Sequence, residues 1–278
     1  MATVSSQPTP LEQLGSRTIG MISTLGDLIS FCGQLALWMT TTYPRKRLLV
    51  PTFYQIGVRS VPVVAITGTF IGMVLAVQAY NQFAQMGLQT RLGSVINVSL
   101  VTELGPVLAA TMLAGRIGGA MAAEIGTMKV TEQVDALRCL GVNPIRYLVV
   151  PRFLACVVLI PLLTVMADFM GVIGGALVSI KIMKIDAFYY WMHSRGFVGL
   201  WEVFTGLFKS LFFGAEIAII SCHRGFRSGA GAEGVGRSAT EAFVYSFIAI
   251  LASDFMLGIL LNGIYNLIWP GQSASIGN

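Results

Sequence analysis

Long apolar stretches separated by short polar breaks run through most of this chain. A membrane span needs about 20 apolar residues, and five segments reach that length: 61–79, 92–123, 153–180, 197–222 and 242–269. The first carries no charge. The second holds Glu103 and Arg116, the third only Asp168, the fourth Glu202, Lys209 and Glu216, and the fifth only Asp254. Residues 18–43 pattern differently. Ser16, Gly20, Ser23, Asp27, Ser30 and Gln34 recur at close to helical spacing, opposite Ile19, Ile22, Leu25, Ile29 and Leu35. Such a stripe fits a helix lying in the membrane interface, with a sixth span as the alternative.

The break between the second and third spans is itself patterned. It reads Gly126-Thr-Met-Lys-Val-Thr-Glu-Gln-Val-Asp-Ala-Leu-Arg-Cys-Leu-Gly-Val-Asn-Pro144. Thr131 is suited to cap a helix, Glu132 and Asp135 fall in its first turn, Gly141 suits a left-handed stop, and Pro144 blocks continuation. The pattern predicts a short amphipathic helix within 130–141, with Val130, Val134 and Leu137 on one face and Glu132, Asp135 and Arg138 on others. The organisation expected is therefore all-helical: a polar tail over 1–17, an interfacial helix over 18–47, a membrane domain of five spans over 48–269 containing the short helix, and a tail over 270–278.

Composition agrees with this pattern. Hydrophobic residues make up 55% of the 278 positions and charged residues 11%, against about 25% charged in soluble domains. The first fifteen residues are polar, so no cleavable leader is expected. Cys32, Cys139, Cys156 and Cys222 form no C-x-x-C and no paired framework, which argues against disulfides and zinc. The net charge of +5 is informative through its placement, not as a sign of nucleic-acid binding. If the short helix is cytoplasmic, twelve basic residues lie on its side, from Arg17 and the Arg45-Lys46-Arg47 run to Arg237. Only Arg91, Lys181, Lys184 and Arg195 lie opposite, a clear positive-inside bias.

Several patterns resemble chemistry without the context it needs. Gly229-Ala-Gly231-Ala-Glu-Gly234 matches G-x-G-x-x-G but follows a span instead of a strand, so a flexible turn is expected there. No G-x-x-x-x-G-K-[ST] occurs, so the chain does not cradle ATP in a P-loop. Asn97-Val-Ser99 lies inside a span. His193 and His223 have no nearby ligand set. No catalytic residue, metal site or cofactor is expected. Gly68-x-x-x-Gly72, Gly115-x-x-x-Gly119 and Gly171-x-x-x-Gly175 have the spacing of close helix packing, expected here within one subunit.

Charges inside the bilayer are costly and usually face a cavity or a partner. At ~1.5 Å per residue, Glu103 and Lys209 lie roughly 13 Å down spans two and four. Asp254 reaches about mid-membrane on span five. The three can meet in one layer, as a polar lining of a substrate path or as a structural ion pair with a spectator. Glu216 lies two turns beyond Lys209, while Asp168 and Glu202 have no evident partner in the sequence.

Four runs carry a family resemblance: Glu103-Leu-Gly-Pro-Val-Leu-Ala-Ala109, Ala114-Gly-Arg-Ile-Gly-Gly-Ala120, Ala123-Glu-Ile-Gly-Thr-Met-Lys-Val-Thr-Glu-Gln-Val-Asp-Ala-Leu-Arg138 and Gly141-Val-Asn-Pro-Ile-Arg-Tyr-Leu-Val-Val-Pro-Arg152. With Phe70-Ile-Gly-Met-Val-Leu-Ala-Val-Gln78 and Gly231-Ala-Glu-Gly-Val-Gly-Arg-Ser-Ala-Thr-Glu-Ala242, they resemble the MlaE/YrbE family over roughly residues 47–264. These are permease subunits of MCE-type ABC lipid transporters.

The resemblance implies a multi-pass homodimer in the bacterial inner membrane. It further implies an ABC ATPase dimer docked at the short helix, an MCE-domain oligomer on the other side, a STAS-domain regulator in some systems, and phospholipid as substrate, in maintenance of outer-membrane lipid asymmetry. It assigns Glu132, Asp135 and Arg138 to ATPase coupling. It assigns Leu75, Val77, Tyr80, Glu103, Leu104, Lys209 and Asp254 to a lipid pocket. Bacterial relatives carry arginine where this chain has Thr102, so that residue's role does not transfer. The rival readings are an ion-coupled secondary transporter using the buried carboxylates and an intramembrane enzyme with Glu103 as base.

Overall fold

The computed structural model describes residues 10–41, 46–88 and 91–269. The tails over 1–9 and 270–278, and Arg45, lie outside the described residues. Among the described residues every regular element is helical. The chain divides into two compact units, residues 1–43 and 44–278.

The first unit contains helix α1, Pro10–Thr41. It runs unbroken, and its stretch Ile22–Thr41 is long and apolar enough to cross a membrane. Its mean hydropathy of 1.2 is the lowest among six such stretches, in keeping with the polar stripe. Ile19, Ile22 and Ile29 are exposed.

The second unit holds the other five stretches: Arg47–Gln85, Leu92–Val130, Ile145–Ile182, Leu200–Phe226 and Gly231–Ile268. Each matches an expected span, but most run longer. The first joins α2 (Lys46–Phe53) through a π-helical turn, Tyr54–Val58, to α3 (Val61–Gln85). The second is α4 (Leu92–Ser99), a π turn Leu100–Leu104, α5 (Gly105–Leu113), a π turn Ala114–Gly118 and α6 (Gly119–Val130). After the short α7 (Gln133–Cys139), the third span opens with a π turn, Ile145–Val149, continues as α8 (Val150–Leu177) and closes with another, Val178–Ile182. The fourth is α10 (Leu200–Phe226) and the fifth α11 (Gly231–Ile268).

Close approaches fix the directions of the spans. A Cβ on Gly68 would lie 2.5 Å from the Ala167 carbonyl oxygen, and one on Gly72 would lie 1.9 Å from that of Gly171. Residue numbers rise together along both helices, so α3 and α8 run parallel. Gly206 meets Val101, while Gly225 meets Ala122 and Ile125, so the fourth span runs parallel to the second. Arg224 meets Glu241, and Lys209 meets Asp254, so α11 runs antiparallel to α10. Consecutive spans thus alternate in direction, and α7 shares one end of the bundle with the turn between α10 and α11. Lys129 Nζ ties these two breaks together through the Ser228 carbonyl (2.9 Å). The central core gathers Val64, Ala110, Leu113, Ile160, Phe213, Ile217 and Ile250. Small residues at the crossings bring the backbones into contact, as expected for packing in lipid.

Three expectations are corrected and one is extended. Thr131 does not cap the short helix: its hydroxyl donates back to the Thr127 carbonyl (2.8 Å) and closes α6. The cap position belongs to Glu132, at φ 60° in the left-handed region. The short helix therefore has seven residues, and Val130 sits in α6. Pro144 does more than block a helix, because it stands at the start of the third span with Asn143 as cap; Asn143 Oδ1 accepts from the Ile145 amide at 2.9 Å. The glycines from Gly231 onward form the first turns of α11 instead of a flexible turn. Finally, a helix absent from the expected set, α9 (Ala187–Phe197), precedes the fourth span, its amide at Phe188 capped by Asp186 (2.8 Å). It packs on α4, where Asn97 donates to the Ser194 hydroxyl.

Candidate functional site

Three spans converge on one buried cation. Lys209, in the middle of α10, is 0% exposed. Its Nζ lies 2.5 Å from Glu103 Oε2 and 3.0 Å from Asp254 Oδ1. The first contact is a charge-assisted hydrogen bond; the second is an ion pair outside hydrogen-bond geometry. A lysine in such surroundings is tolerable only because two carboxylates answer it. The trio is asymmetric: Asp254 is 22% exposed and Glu103 51%. Lys209 is therefore the enclosed anchor, and Glu103 presents the exposed polar face of the trio.

Local structure explains this placement. Glu103 lies in the π turn Leu100–Leu104, and π turns commonly mark functional positions because they interrupt the regular helical ladder. Gly105 follows, and a Cβ there would stand 1.7 Å from Asp168 Oδ1. Asp168 thus packs against the bare backbone after Glu103. Glu216 accepts from the Ser253 hydroxyl at 3.0 Å, a partner the sequence did not single out. Glu202 lies outside the layer: its carboxylate accepts from the Gly199 amide (2.9 Å) and caps α10.

At the other end, α7 presents its charges outward. Glu132, Asp135 and Arg138 are exposed, with an ion pair of 3.0 Å between the last two. Val134 is buried and Leu137 half-buried, so the helix rests on the bundle by an apolar face. Gly141, at φ 73°, ends it in the left-handed conformation.

The family model described as Permease MlaE matches residues 49–260, which takes in the second, third and fourth spans and α7 whole and most of the first and fifth. This chain belongs to the MlaE permease family. The MlaE-family chain is 43% identical over 229 residues to a probable ABC transporter permease protein of Synechocystis sp., covering 82% of this chain and 87% of the relative. It is 42% identical over 250 residues to a probable ABC transporter permease protein of Rickettsia typhi, covering 89% and 96%. To the intermembrane phospholipid transport system permease protein MlaE of Haemophilus influenzae it is 34% identical over 217 residues, covering 78% and 83%.

In this MlaE-family permease the remaining expected pocket residues differ in exposure. Leu75 and Tyr80 pack against Ala76, Leu92, Ile96, Val178 and Ile185. Val77 is exposed and Leu104 half-buried. Thr102 is half-buried, and its hydroxyl donates to the Val98 carbonyl (2.8 Å). It stays within its own helix and adds no charge to the layer.

Proposed function

We propose that this chain is the membrane subunit of an ATP-driven lipid transporter, moving phospholipid between its own membrane and an MCE-domain partner in maintenance of outer-membrane lipid asymmetry. The observation that carries the reading is the Glu103–Lys209–Asp254 layer within spans of an MlaE-family chain. A polar patch of one cation and two carboxylates among apolar helices suits an amphiphile, whose head group seeks hydrogen bonds while its chains stay in hydrocarbon. Glu103 and Asp254 contact the head group and Lys209, enclosed behind them, holds both carboxylates in place; Val77 and Leu104 line the acyl path, with Leu75 and Tyr80 behind them. The chain itself does no covalent chemistry.

The proposed assembly is a homodimer in the bacterial inner membrane. An ABC ATPase dimer docks on α7 through Glu132, Asp135 and Arg138, an MCE-domain oligomer sits on the opposite side, and a STAS-domain protein regulates the ATPase. The relatives named as ABC transporter permeases and as a phospholipid transport permease support this reading, as does the exposed, charged α7 at the basic end of the bundle. The part of α1 from residue 18 onward lies on the cytoplasmic membrane surface as an interfacial helix.

The test is transfer of fluorescent phospholipid from proteoliposomes containing this chain with its ATPase. ATP-dependent transfer that is lost in Lys209→Ala is expected. Transfer that follows a proton gradient without ATP would replace this reading with the ion-coupled one.

A further inference from the structure

A cavity of about 480 Å³ opens between the first three spans, at the end that carries α7. Counting along the second span from Glu103 to Arg116 puts it roughly 20 Å from the Lys209 layer. Its walls are largely apolar, with Ile56, Ile117, Met121 and Leu148 among them. Three arginines and one carboxylate also face it: Arg59, Arg116, Arg152 and Glu124.

The charges do not cancel. Arg152 is satisfied, with its guanidinium 2.9 Å from Glu124 Oε2 and donating to the Leu148 carbonyl at 2.8 Å. Arg116 is half-buried and donates only to the Ser60 hydroxyl, which itself donates to the Ile56 carbonyl. Neither Arg116 nor Arg59 has a carboxylate partner among the described residues. Arg59 is exposed and Arg116 half-buried, so both cations can be reached from outside, and no carboxylate of the chain competes with an incoming anion for them. A guanidinium offers parallel donors that match the oxygens of a phosphate. The recognised group is a phosphate oxyanion, and the apolar walls favour one carried on a lipid over a free ion.

We propose that this cavity binds the phosphate group of a phospholipid from the leaflet on the α7 side, held by Arg59 and Arg116, at a site separate from the Lys209 layer. The site does not depend on the transport reading, because a lipid that only stabilises the fold would use the same groups. Gln55 and Thr52 of the first span lie at its wall and flank the glycerol region of the bound lipid.

The test uses the full-length chain purified in detergent, titrated with phosphatidylglycerol and followed by native mass spectrometry. A parallel arm uses inorganic phosphate in equilibrium dialysis. The double variant Arg59→Gln with Arg116→Gln should weaken phosphatidylglycerol binding at one site per chain by about tenfold or more. Gln55→Trp fills the cavity and keeps both arginines, so it should weaken the same binding; it guards against misfolding of the arginine variant. Lys209→Ala should leave this site intact. Unchanged phosphatidylglycerol binding in both the arginine and the Gln55→Trp variants overturns the proposal. Inorganic phosphate bound as tightly as the lipid, with the same arginine dependence, overturns the lipid assignment in favour of a soluble anion.

Discussion

A methyl group on Gly72 would stand 1.9 Å from the carbonyl oxygen of Gly171. The obstacle is backbone, so no side-chain rotation relieves it. Gly72→Ala should therefore force α3 and α8 apart and destabilise the chain by roughly 1–3 kcal/mol. Thermal unfolding in detergent measures this. Gly263→Ala, which meets open space, should melt with the wild type. Equal melting of both variants would show that the two spans do not touch as described.

The Lys209 layer predicts a non-additive pair. Lys209→Ala leaves Glu103 and Asp254 without their shared cation. Adding Asp254→Asn restores the net charge of the trio. The double variant should therefore unfold at a higher temperature than Lys209→Ala alone and recover part of its lipid transfer. Losses that simply add in both measurements mean that the residues act independently.

Charge reversal on α7 separates docking from folding. The Asp135–Arg138 pair is exposed, so it contributes little to stability. Glu132→Lys combined with Asp135→Lys should leave expression and melting unchanged, yet abolish stimulation of the partner ATPase and lipid transfer. Normal coupling in that variant removes α7 as the docking element.

Lipid capture can map the proposed path. Photo-crosslinkers at Val77 and at Ile173, both exposed, should each capture phospholipid, because either can meet bulk membrane. Only capture at Val77 should fall when Lys209→Ala is introduced. A parallel fall at both positions, or at neither, argues against an acyl path beside the charge layer.

Much of this arrangement is legible in the sequence, for a physical reason. A charge in an apolar span is rare and must be answered, so depth counting along straight helices brings Glu103, Lys209 and Asp254 to one level. The Gly68–Gly72 and Gly171–Gly175 spacings likewise locate close packing. Helix ends are less legible. Thr131 has the residue type of a cap, but its hydroxyl is taken by its own helix, and the left-handed Glu132 carries no sequence signal. Helix α9 is hidden because its aromatic run resembles the start of the next span; Asp186 just before it was the available clue. The Ser253 partner of Glu216 and the packing of Asp168 on Gly105 also escape, since both look like ordinary small residues of a membrane helix.

The second span carries a consequence of its two wide turns, Leu100–Leu104 and Ala114–Gly118. Each holds one residue more than a regular helix needs over the same turn, and the wide turn absorbs it locally. The contacts farther along, such as Gly126 against Ser228, therefore keep their phase although they share one rod with Glu103. Removing a single residue from either turn would let it close to a regular α turn and leave the span long enough to cross the bilayer. The later side chains and the seat of α7 would stay where they are. The span thus carries slack at two points, where a one-residue change in length need not reach the other end of the molecule.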